Sequence, residues 1–350
     1  MAVINVSTLT SIAFNIFKGI GISDEEAGII SEHLVGSNLR GHDSHGVIRI
    51  PTYVEQLTDK YVSWDKHEVL SNEAGIAIIE GHGVNGIVAA TRASELATEN
   101  TKQSVFSTVT LKNTTHIGRL GDYAELIAKK NLIGMIWTNV GGKFVVPFGS
   151  GERRLRPNPI AFGIPRMNND PIVLDISLSS IAGGKVDDFL TKGKSVPEGW
   201  LINDKGESVT DGKSFRGDED AAALPLGGMQ FGHKGFGLAM IMEMIVGPLS
   251  RAGCTKRIER KPGITSGNEK DGGGVMIVAI DIEKFTSLNN YSDEIEQLLT
   301  WVKSAKPLPG FSEIYAPGEM ENNSKKDRLE KGIDIPDSVW EKILLLSKNN

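Results

Sequence analysis

The sequence predicts an α/β protein of the α+β type, in which a sheet domain is joined to a helical domain built from both ends of the chain. Apolar residues at helical spacing occupy 7–40, short apolar strands alternate with helices after about residue 75, and helices return after 290. A chain of 350 residues exceeds one comfortable hydrophobic core, so two domains are expected. We place the first at 1–75 with 290–350 and the second at 76–289, where 187–225 forms a small subdomain.

The composition argues against several classes of protein. The formal net charge is −6, the pI is near 5.7 and no run of Lys and Arg is dense, so we expect no nucleic-acid partner. Cys254 is the single cysteine, which leaves no disulfide framework and no cysteine-based metal site. The apolar stretch at 238–249 is interrupted by Glu243, and the N-terminus lacks a basic segment. We therefore expect a cytoplasmic protein with no membrane partner.

Local patterns place the individual elements. Residues 7–40 predict two helices, the second opened by a capping box in which Ser23 caps and Glu26 reaches back. Further helices are predicted at 51–57, 87–100, 119–129, 235–249, 292–304 and 338–347, and strands at 76–80, 105–111, 132–138, 160–164, 172–176 and 275–282. The helix at 235–249 is apolar enough to be buried or to lie at a subunit contact, and the charged, glycine-rich stretch 255–274 predicts a mobile loop.

A glycine motif at 81–86 fits the pattern G-x-G-x-x-G between a predicted strand and a predicted helix. Such a turn is typical of dinucleotide binding at a helix N-terminus. However, the next strand runs into Lys112 and Asn113 instead of an acidic residue that could bind a ribose. The chain also lacks the regular alternation of a doubly wound parallel sheet. We therefore favour a structural turn and set the Rossmann interpretation aside.

Residues 40–49 hold two histidines, a serine, an aspartate and two arginines, with glycines that allow sharp turns. A loop of this kind at a helix end is where a scaffold presents reactive groups to a ligand. The alternative is a solvated loop in which Asp43 or Ser44 caps a helix. A metal-dependent hydrolase that uses His42, Asp43 and His45 is a further hypothesis, but no fourth ligand is evident and we expect no metal.

A second histidine, His116, follows a predicted strand and precedes a predicted helix. It therefore lies at the carboxyl end of a strand, where catalytic groups are common. Histidine suits proton transfer at cellular pH because its ordinary pKa is near neutrality. A lone histidine is more often structural, but two histidine loops that face each other would form a site.

Two other segments carry polar groups suited to a ligand. Asp175 ends a strand and is followed by serine hydroxyls, which can hold ribose or phosphate or can simply cap a turn. Lys234 lies at the start of a predicted helix, where its charge opposes the helix dipole unless an anion binds there.

Taken together, these segments resemble the second malate/L-lactate dehydrogenase family, whose members include sulfolactate, ureidoglycolate and diketogulonate enzymes and cyclic-imine reductases. The matching segments are 44–53, the His116 stretch, Asn-Pro-Ile-Ala at 158–161, the Asp175 strand, His-Lys-Gly at 233–235 and Ala-Pro-Gly-Glu at 316–319. The resemblance covers nearly the whole chain, in order. It implies a non-Rossmann NAD(P)-binding domain at 76–289 with a mixed, largely antiparallel sheet, a helical domain from both termini and a homodimer.

The resemblance also implies roles for individual residues. Ser44, His45 and Arg49 match the substrate loop, in which the arginine holds a carboxylate through two parallel hydrogen bonds. His116 matches the acid/base histidine, and His45 matches its partner or substitute. The implied cofactor contacts are Val173, Leu174, Asp175, Ile176, Ser177, Leu178, Ser179, His233, Lys234, Pro317, Gly318 and Glu319. Many relatives have Ala-Thr-Ser where this chain has Ser-Leu-Ser at 177–179, so one threonine hydroxyl is missing.

The implied function is the reversible, NAD- or NADP-dependent oxidation of a small 2-hydroxy acid, with NAD slightly favoured. A cyclic-imine or ketimino-acid reductase on the same scaffold is the alternative, and a non-catalytic protein that binds a small ligand is a third hypothesis. Lys112, Lys143 and Arg153 are candidates for binding the 2′-phosphate of NADP or are solvated. The sequence does not select the hydroxy acid.

Overall fold

The structure is a computed structural model that describes residues 2–216, 221–255 and 273–349. Its helices are α1 Val6–Gly19, α2 Asp24–Leu39, α3 Ile50–Leu57, α4 Gly86–Asn100, α5 Gly121–Ala128, α6 Gly183–Thr191, α7 Gly212–Arg216, α8 Gly228–Leu249, α9 Leu288–Lys303, α10 Glu319–Lys331 and α11 Asp337–Asn349. Its strands are β1 Ala2–Ile4, β2 Glu68–Glu73, β3 Ile76–Glu80, β4 Phe106–Lys112, β5 Leu132–Thr138, β6 Ile160–Ile164, β7 Ile172–Ile176, β8 Leu201–Ile202, β9 Ser208–Val209, β10 Ala222–Ala223, β11 Val275–Asp281 and β12 Ile333–Ile335.

The main sheet has seven strands in the order β2-β3-β4-β11-β5-β6-β7. Only β3 and β4 run parallel, and every other neighbouring pair is antiparallel. Side chains along β5 alternate between buried and half-buried positions, as the period of two along a strand requires. The mixed, largely antiparallel sheet is confirmed, and a doubly wound parallel sheet is excluded for the described residues.

The two ends of the chain share one hydrophobic core. β1 pairs antiparallel with β12, so that Ala2 lies opposite Ile335. A single cluster of buried side chains joins α1, α2 and α3 to β12 and α11, and it includes Leu9, Phe17, Ile30, Leu34, Ile50, Ile333 and Ile343. The helical domain from both termini is therefore confirmed as a feature of the fold, while the boundaries near residues 75 and 290 remain predictions.

Some elements differ from those predicted. Ser23 accepts the amide of Glu26, but the Glu26 carboxylate binds Ser63 and Trp64 instead of completing the capping box. α8 begins at Gly228, so Lys234 lies in its second turn, and the argument from a helix N-terminus does not apply to it. α8 is also not wholly buried, because side chains along its length are exposed.

Two of the elements that local patterns missed, β2 and α10, have a common physical feature. β2 is an edge strand with no buried residue, and α10 buries none of its side chains. Neither therefore shows the apolar periodicity from which elements are predicted. The segment 187–225, for which the sequence predicts a small subdomain, contains the strands of a three-stranded sheet in the order β10-β8-β9. Most of the loop predicted at 255–274 lies outside the described residues. No helix in the described ranges combines the length and apolar content needed to cross a membrane.

The shared core predicts that substitutions at two nearby residues of α11 will change the free energy of unfolding by different amounts. Ile343 is fully buried, whereas Leu345 is 62% exposed. We expect Ile343→Ala to lower the free energy of unfolding by about 2–5 kcal/mol, because it removes buried methylene groups and leaves a cavity. The matched control Leu345→Ala is expected to change it by less than about 0.5 kcal/mol. Urea denaturation measures both, and equal effects would contradict the assignment of α11 to this core.

Candidate active site

The loop at 40–49 is held in place by contacts with distant elements. It forms two short 3₁₀ turns directly after α2. Arg40 forms a buried ion pair with Glu125 of α5, and the Asp43 carboxylate binds the Arg328 guanidinium of α10. Gly46 packs so closely on α2 that an added Cβ would overlap the Asn38 side chain. Arg40 and Asp43 therefore shape the loop.

The residues of the metal hypothesis have different partners. His42 Nε2 lies 3.7 Å from Glu321, Asp43 is bound by Arg328, and His45 Nδ1 lies 3.1 Å from the Ser44 hydroxyl. Within 2–216, 221–255 and 273–349, no group of three or more His, Cys, Asp or Glu residues could hold a metal ion.

The glycine motif at 81–86 supports the loop that carries His116. The Gly83 amide donates to the Asn113 carbonyl at 2.7 Å, and a Cβ on Gly86 would overlap the carbonyl of Thr115. The first free amides of α4 donate to the Asn85 side chain. The motif therefore acts as a close-packed turn whose helix N-terminus is already capped by the protein.

The structure brings the two histidine loops together. The rings of His45 and His116 stack with centroids 5.5 Å apart and an interplanar angle of 26°. Arg49 Nε donates to the Ser44 carbonyl at 2.7 Å, so the guanidinium lies beside the same turn. The predicted substrate residues Ser44, His45 and Arg49 thus lie together with His116, and we refer to the space that these residues border as the cleft.

Tyr53 is a site residue that the sequence analysis missed. Its hydroxyl lies 2.7 Å from His116 Nδ1, and burial raises the pKa of Tyr53, which keeps the phenol protonated. A hydroxyl can donate or accept, so Tyr53 can support the imidazole in either tautomer. The signal was the spacing of four residues between Arg49 and Tyr53, which places both on one side of α3.

The surroundings of both imidazoles lower their pKa values and so favour the neutral form. Desolvation by the surrounding protein, followed by the positive charge of Arg49, lowers the pKa of His116 to about 3. Burial, then the neighbouring His116 and Arg49, lowers the pKa of His45 well below its ordinary value. A carboxylate bound by Arg49 would offset its positive charge and raise both pKa values.

The structure brings two of the predicted cofactor segments together. Gly318 has a φ of +85° and packs against β7, where an added Cβ would lie 2.9 Å from the Val173 carbonyl oxygen. Pro317 and Gly318 therefore lie beside β7, the strand that contains Asp175. The Glu319 carboxylate accepts from Lys303 Nζ and from the Ala316 amide, so it braces this turn.

The polar groups at the end of β7 are used within the protein. Asp175 Oδ2 accepts the Gly121 amide at 2.7 Å. Ser177 Oγ donates to the Ser179 carbonyl, and Ser179 Oγ donates to the Ile181 carbonyl. Leu178 is fully buried in a small apolar cluster. A cofactor bound here would therefore meet a preformed turn, with half-buried Leu174 and Ile176 on the strand before it.

The third predicted segment lies on α8, where His233 and Lys234 are exposed. The His233 ring packs edge-on against Phe148, and Lys234 Nζ lies 5.6 Å from the centroid of the Phe231 ring. Both phenylalanines are largely exposed. An exposed ammonium group beside exposed aromatic rings is a donor set that fits the phosphates and rings of a dinucleotide.

Two of the three candidates for a 2′-phosphate already bind protein groups. Lys112 Nζ lies 2.9 Å from Glu80, and Arg153 donates to the carbonyls of Phe215 and Ala221. These contacts support structural roles for Lys112 and Arg153.

Comparisons with known proteins agree with this geometry. A family model described as malate/L-lactate dehydrogenase matches residues 4–344. A malate dehydrogenase of Pyrococcus horikoshii is 33% identical over 347 residues, which cover 97% of this chain and 93% of that protein. The crystal structure of malate dehydrogenase from Entamoeba histolytica superposes with a TM-score of 0.92 at 26% identity, covering 99% of this chain and 98% of that one. A Δ1-piperideine-2-carboxylate reductase from Pseudomonas syringae pvar. tomato superposes with a TM-score of 0.81 at 24% identity, covering 99% of this chain and 100% of that one. This similarity shows a shared fold alone.

The electrostatics of the cleft predict the effect of removing its arginine. Arg49→Gln deletes a positive charge beside both imidazoles, so the pKa of His116 and that of His45 should rise. The exposed Arg154, which pairs with Glu152, provides the control Arg154→Gln and should leave both unchanged. Titration of isotope-labelled histidines by NMR measures the shifts. An unchanged or lowered His116 pKa in Arg49→Gln would show that Arg49 does not act on this ring.

Proposed function

Because the chain belongs to the malate/L-lactate dehydrogenase family and is therefore an oxidoreductase, we propose that it transfers hydride reversibly between NAD or NADP and a small 2-hydroxy acid. The observation that carries the proposal is a guanidinium, that of Arg49, close to two stacked imidazoles. A 2-hydroxy acid presents the matching groups, since its carboxylate and its hydroxyl are on adjacent carbons.

Arg49 binds the substrate carboxylate in this proposal. Its Nε already donates to the Ser44 carbonyl, so the terminal nitrogens are the ones that would bind the ligand. Parallel hydrogen bonds to a carboxylate fix the orientation as well as the position of the substrate. Ser44 lies next to this group and contributes a hydroxyl.

His116 holds and moves the hydroxyl proton. Its Nδ1 faces the Tyr53 hydroxyl and the Gly118 amide, so Nε2 is the nitrogen directed to the substrate. In the free protein Nδ1 accepts the Gly118 amide, which places the proton of the neutral ring on Nε2. To act as the base, the ring takes the other tautomer, in which Nδ1 gives up the Gly118 hydrogen bond and donates to the Tyr53 oxygen while Nε2 takes the substrate proton. The nicotinamide ring, when bound, takes up or returns the hydride. His45, stacked on His116, is the partner that limits the space for water around the proton.

Substrate binding and basicity are coupled in this cleft. Arg49 lowers the pKa of His116 in the free protein, and a bound carboxylate neutralises that charge. The imidazole thus becomes a stronger base when the substrate is in place. Proton transfer is therefore favoured in the complex with substrate more than in the free enzyme.

A cyclic-imine reductase is the second candidate. A cyclic 2-imino acid also carries a carboxylate beside the reacting carbon, so Arg49 would hold it in the same way. His116 would then give its proton to the imine nitrogen. The observation that favours this candidate is the fold shared with the piperideine-carboxylate reductase.

Steady-state assays with NAD⁺ and NADP⁺ against L-malate, L-lactate and L-sulfolactate test the proposal. We expect turnover of at least one of these acids and a loss of about 10²- to 10⁴-fold in kcat for His116→Ala, because the proton acceptor is removed. His82→Ala is the control, since this exposed histidine pairs with Glu68 on the surface. Fluorescence titration with NADH and NADPH identifies the preferred cofactor.

Two outcomes of these assays would change the proposal. Near-normal turnover in both His116→Ala and His45→Ala would show that the proton step is assigned wrongly. Turnover of Δ1-piperideine-2-carboxylate with NADPH, without turnover of any hydroxy acid, would replace the first candidate by the second.

We also propose a homodimer with α8 in its interface. This helix exposes a row of large apolar side chains, namely Met229, Phe231, Leu238, Ile241, Met244 and Leu249. A patch of this kind on a water-exposed helix is typical of a protein contact. The family resemblance makes a second copy of the chain the expected occupant.

The dimer proposal predicts a change of mass in solution. Ile241→Glu with Met244→Glu places charges in the contact, so the protein should elute as a monomer in size-exclusion chromatography with light scattering. Leu345→Glu, on an equally exposed position of α11, should leave the mass unchanged. A dimeric double variant would exclude this face of α8 from the interface.

A further inference from the structure

A buried histidine on α2 holds the loop that carries His116. His33 Nε2 accepts the backbone amide of Arg119 at 2.9 Å. Gly118 has a φ of +69°, and an added Cβ there would overlap the His33 ring. The Gly118 amide in turn lies 3.3 Å from His116 Nδ1. The position of His33 therefore determines where the peptide next to the His116 imidazole lies.

The two nitrogens of His33 have opposite roles. A backbone N–H can only donate, so Nε2 must be without a proton. The proton of the neutral ring is therefore on Nδ1, which lies 3.1 Å from Asp122 Oδ2 and donates to it. Burial and the charge of Arg119 lower the pKa of His33 and keep the ring neutral, although Asp122 acts against them.

The same contacts reach the strand where the cofactor is predicted. Asp122 also binds the Arg119 guanidinium, whose Nε lies 3.8 Å from Asp175 Oδ2. Asp175 accepts the amide of Gly121 in the same loop. A continuous set of buried polar contacts thus runs from His33 on α2, through the loop, to the end of β7.

We propose that His33 is a positioning residue for the proton transfer, acting through the Arg119 amide and Gly118 to hold the His116 imidazole against Tyr53. The inference rests on the proposed function for its effect on turnover. His33 itself is buried behind the loop and touches neither the substrate cleft nor a reacting atom in this scheme.

A purely packing role makes a different prediction. The His33 ring stacks on Tyr123, with centroids 5.5 Å apart, and fills space in the interior. If filling space were its whole contribution, a change of side chain would lower stability but leave the turnover of the folded enzyme intact. The accepted hydrogen bond from Arg119 is what separates the two roles.

Two amide variants of His33 separate the positioning role from the packing role. The glutamine in His33→Gln reaches the position of Nε2, where its carbonyl can accept the Arg119 amide. The asparagine in His33→Asn is polar but ends near the position of Nδ1 and cannot reach that amide. A third variant, Ser31→Ala, serves as the control on the same helix. It removes a fully buried hydroxyl that donates to the Ala27 carbonyl.

We expect His33→Asn to lower kcat by about 10- to 100-fold, because a displacement of roughly 1 Å in a reacting group has effects of this size. His33→Gln should stay within about 3-fold of the wild type, and Ser31→Ala should lose stability only. The dissociation constant of NADH, or of NADPH if that is the cofactor, should change little in all three. His33→Leu replaces His33→Asn if the latter fails to fold.

NMR supplies a readout that needs no substrate. The ¹⁵N shifts of the His116 ring report its tautomer, and they should move in His33→Asn but not in His33→Gln. A wild-type kcat together with unchanged His116 shifts in His33→Asn would overturn the inference. Equal losses of kcat in His33→Asn and His33→Gln would also overturn it. If instead the wild type turns over no hydroxy acid or imine while the shifts move as expected, the proposed function fails and the positioning of His116 stands.

Discussion

The contact between α2 and α5 is the constraint on which the candidate site depends. Arg40 and Glu125 form a buried ion pair across it, and His33 binds the Arg119 amide just before α5 begins. A buried charge that loses its partner costs about 3–5 kcal/mol, so such contacts are stable only when they are complete. Their completion sets the distance between the two histidine loops, neither of which contains an α-helix or a β-strand.

A polar helix from the far end of the chain completes the arrangement. α10 buries none of its side chains, yet Arg328 binds the Asp43 carboxylate and the Asn38 carbonyl, and Ser324 donates to the Leu39 carbonyl. These contacts hold the turn that precedes Ser44 and His45. The loop at 40–49 is thus fixed by hydrogen bonds and ion pairs, whereas the helices behind it are held by an apolar core.

The glycine motif at 81–86 shows why spacing alone does not establish a binding site. Glycines are needed wherever backbones approach closely, and here they allow the turn to pack against the segment that leads to His116. The amides at the start of α4, which would bind a phosphate in a Rossmann fold, are taken by Asn85. The same residues therefore serve catalysis only indirectly, by supporting a loop.

The sequence by itself determined the elements whose apolar residues repeat locally, such as α1, α2, β3 and β5, and it predicted the candidate side chains of both histidine loops. It could do so because periodicity and residue chemistry are properties of neighbouring positions. Only the tertiary structure decided the strand order, the contacts of Tyr53 and His33 with the His116 loop, and the different partners of Arg49, which binds the Ser44 carbonyl, and Asp43, which binds α10. Those depend on contacts between residues far apart in the chain, and no local pattern records them.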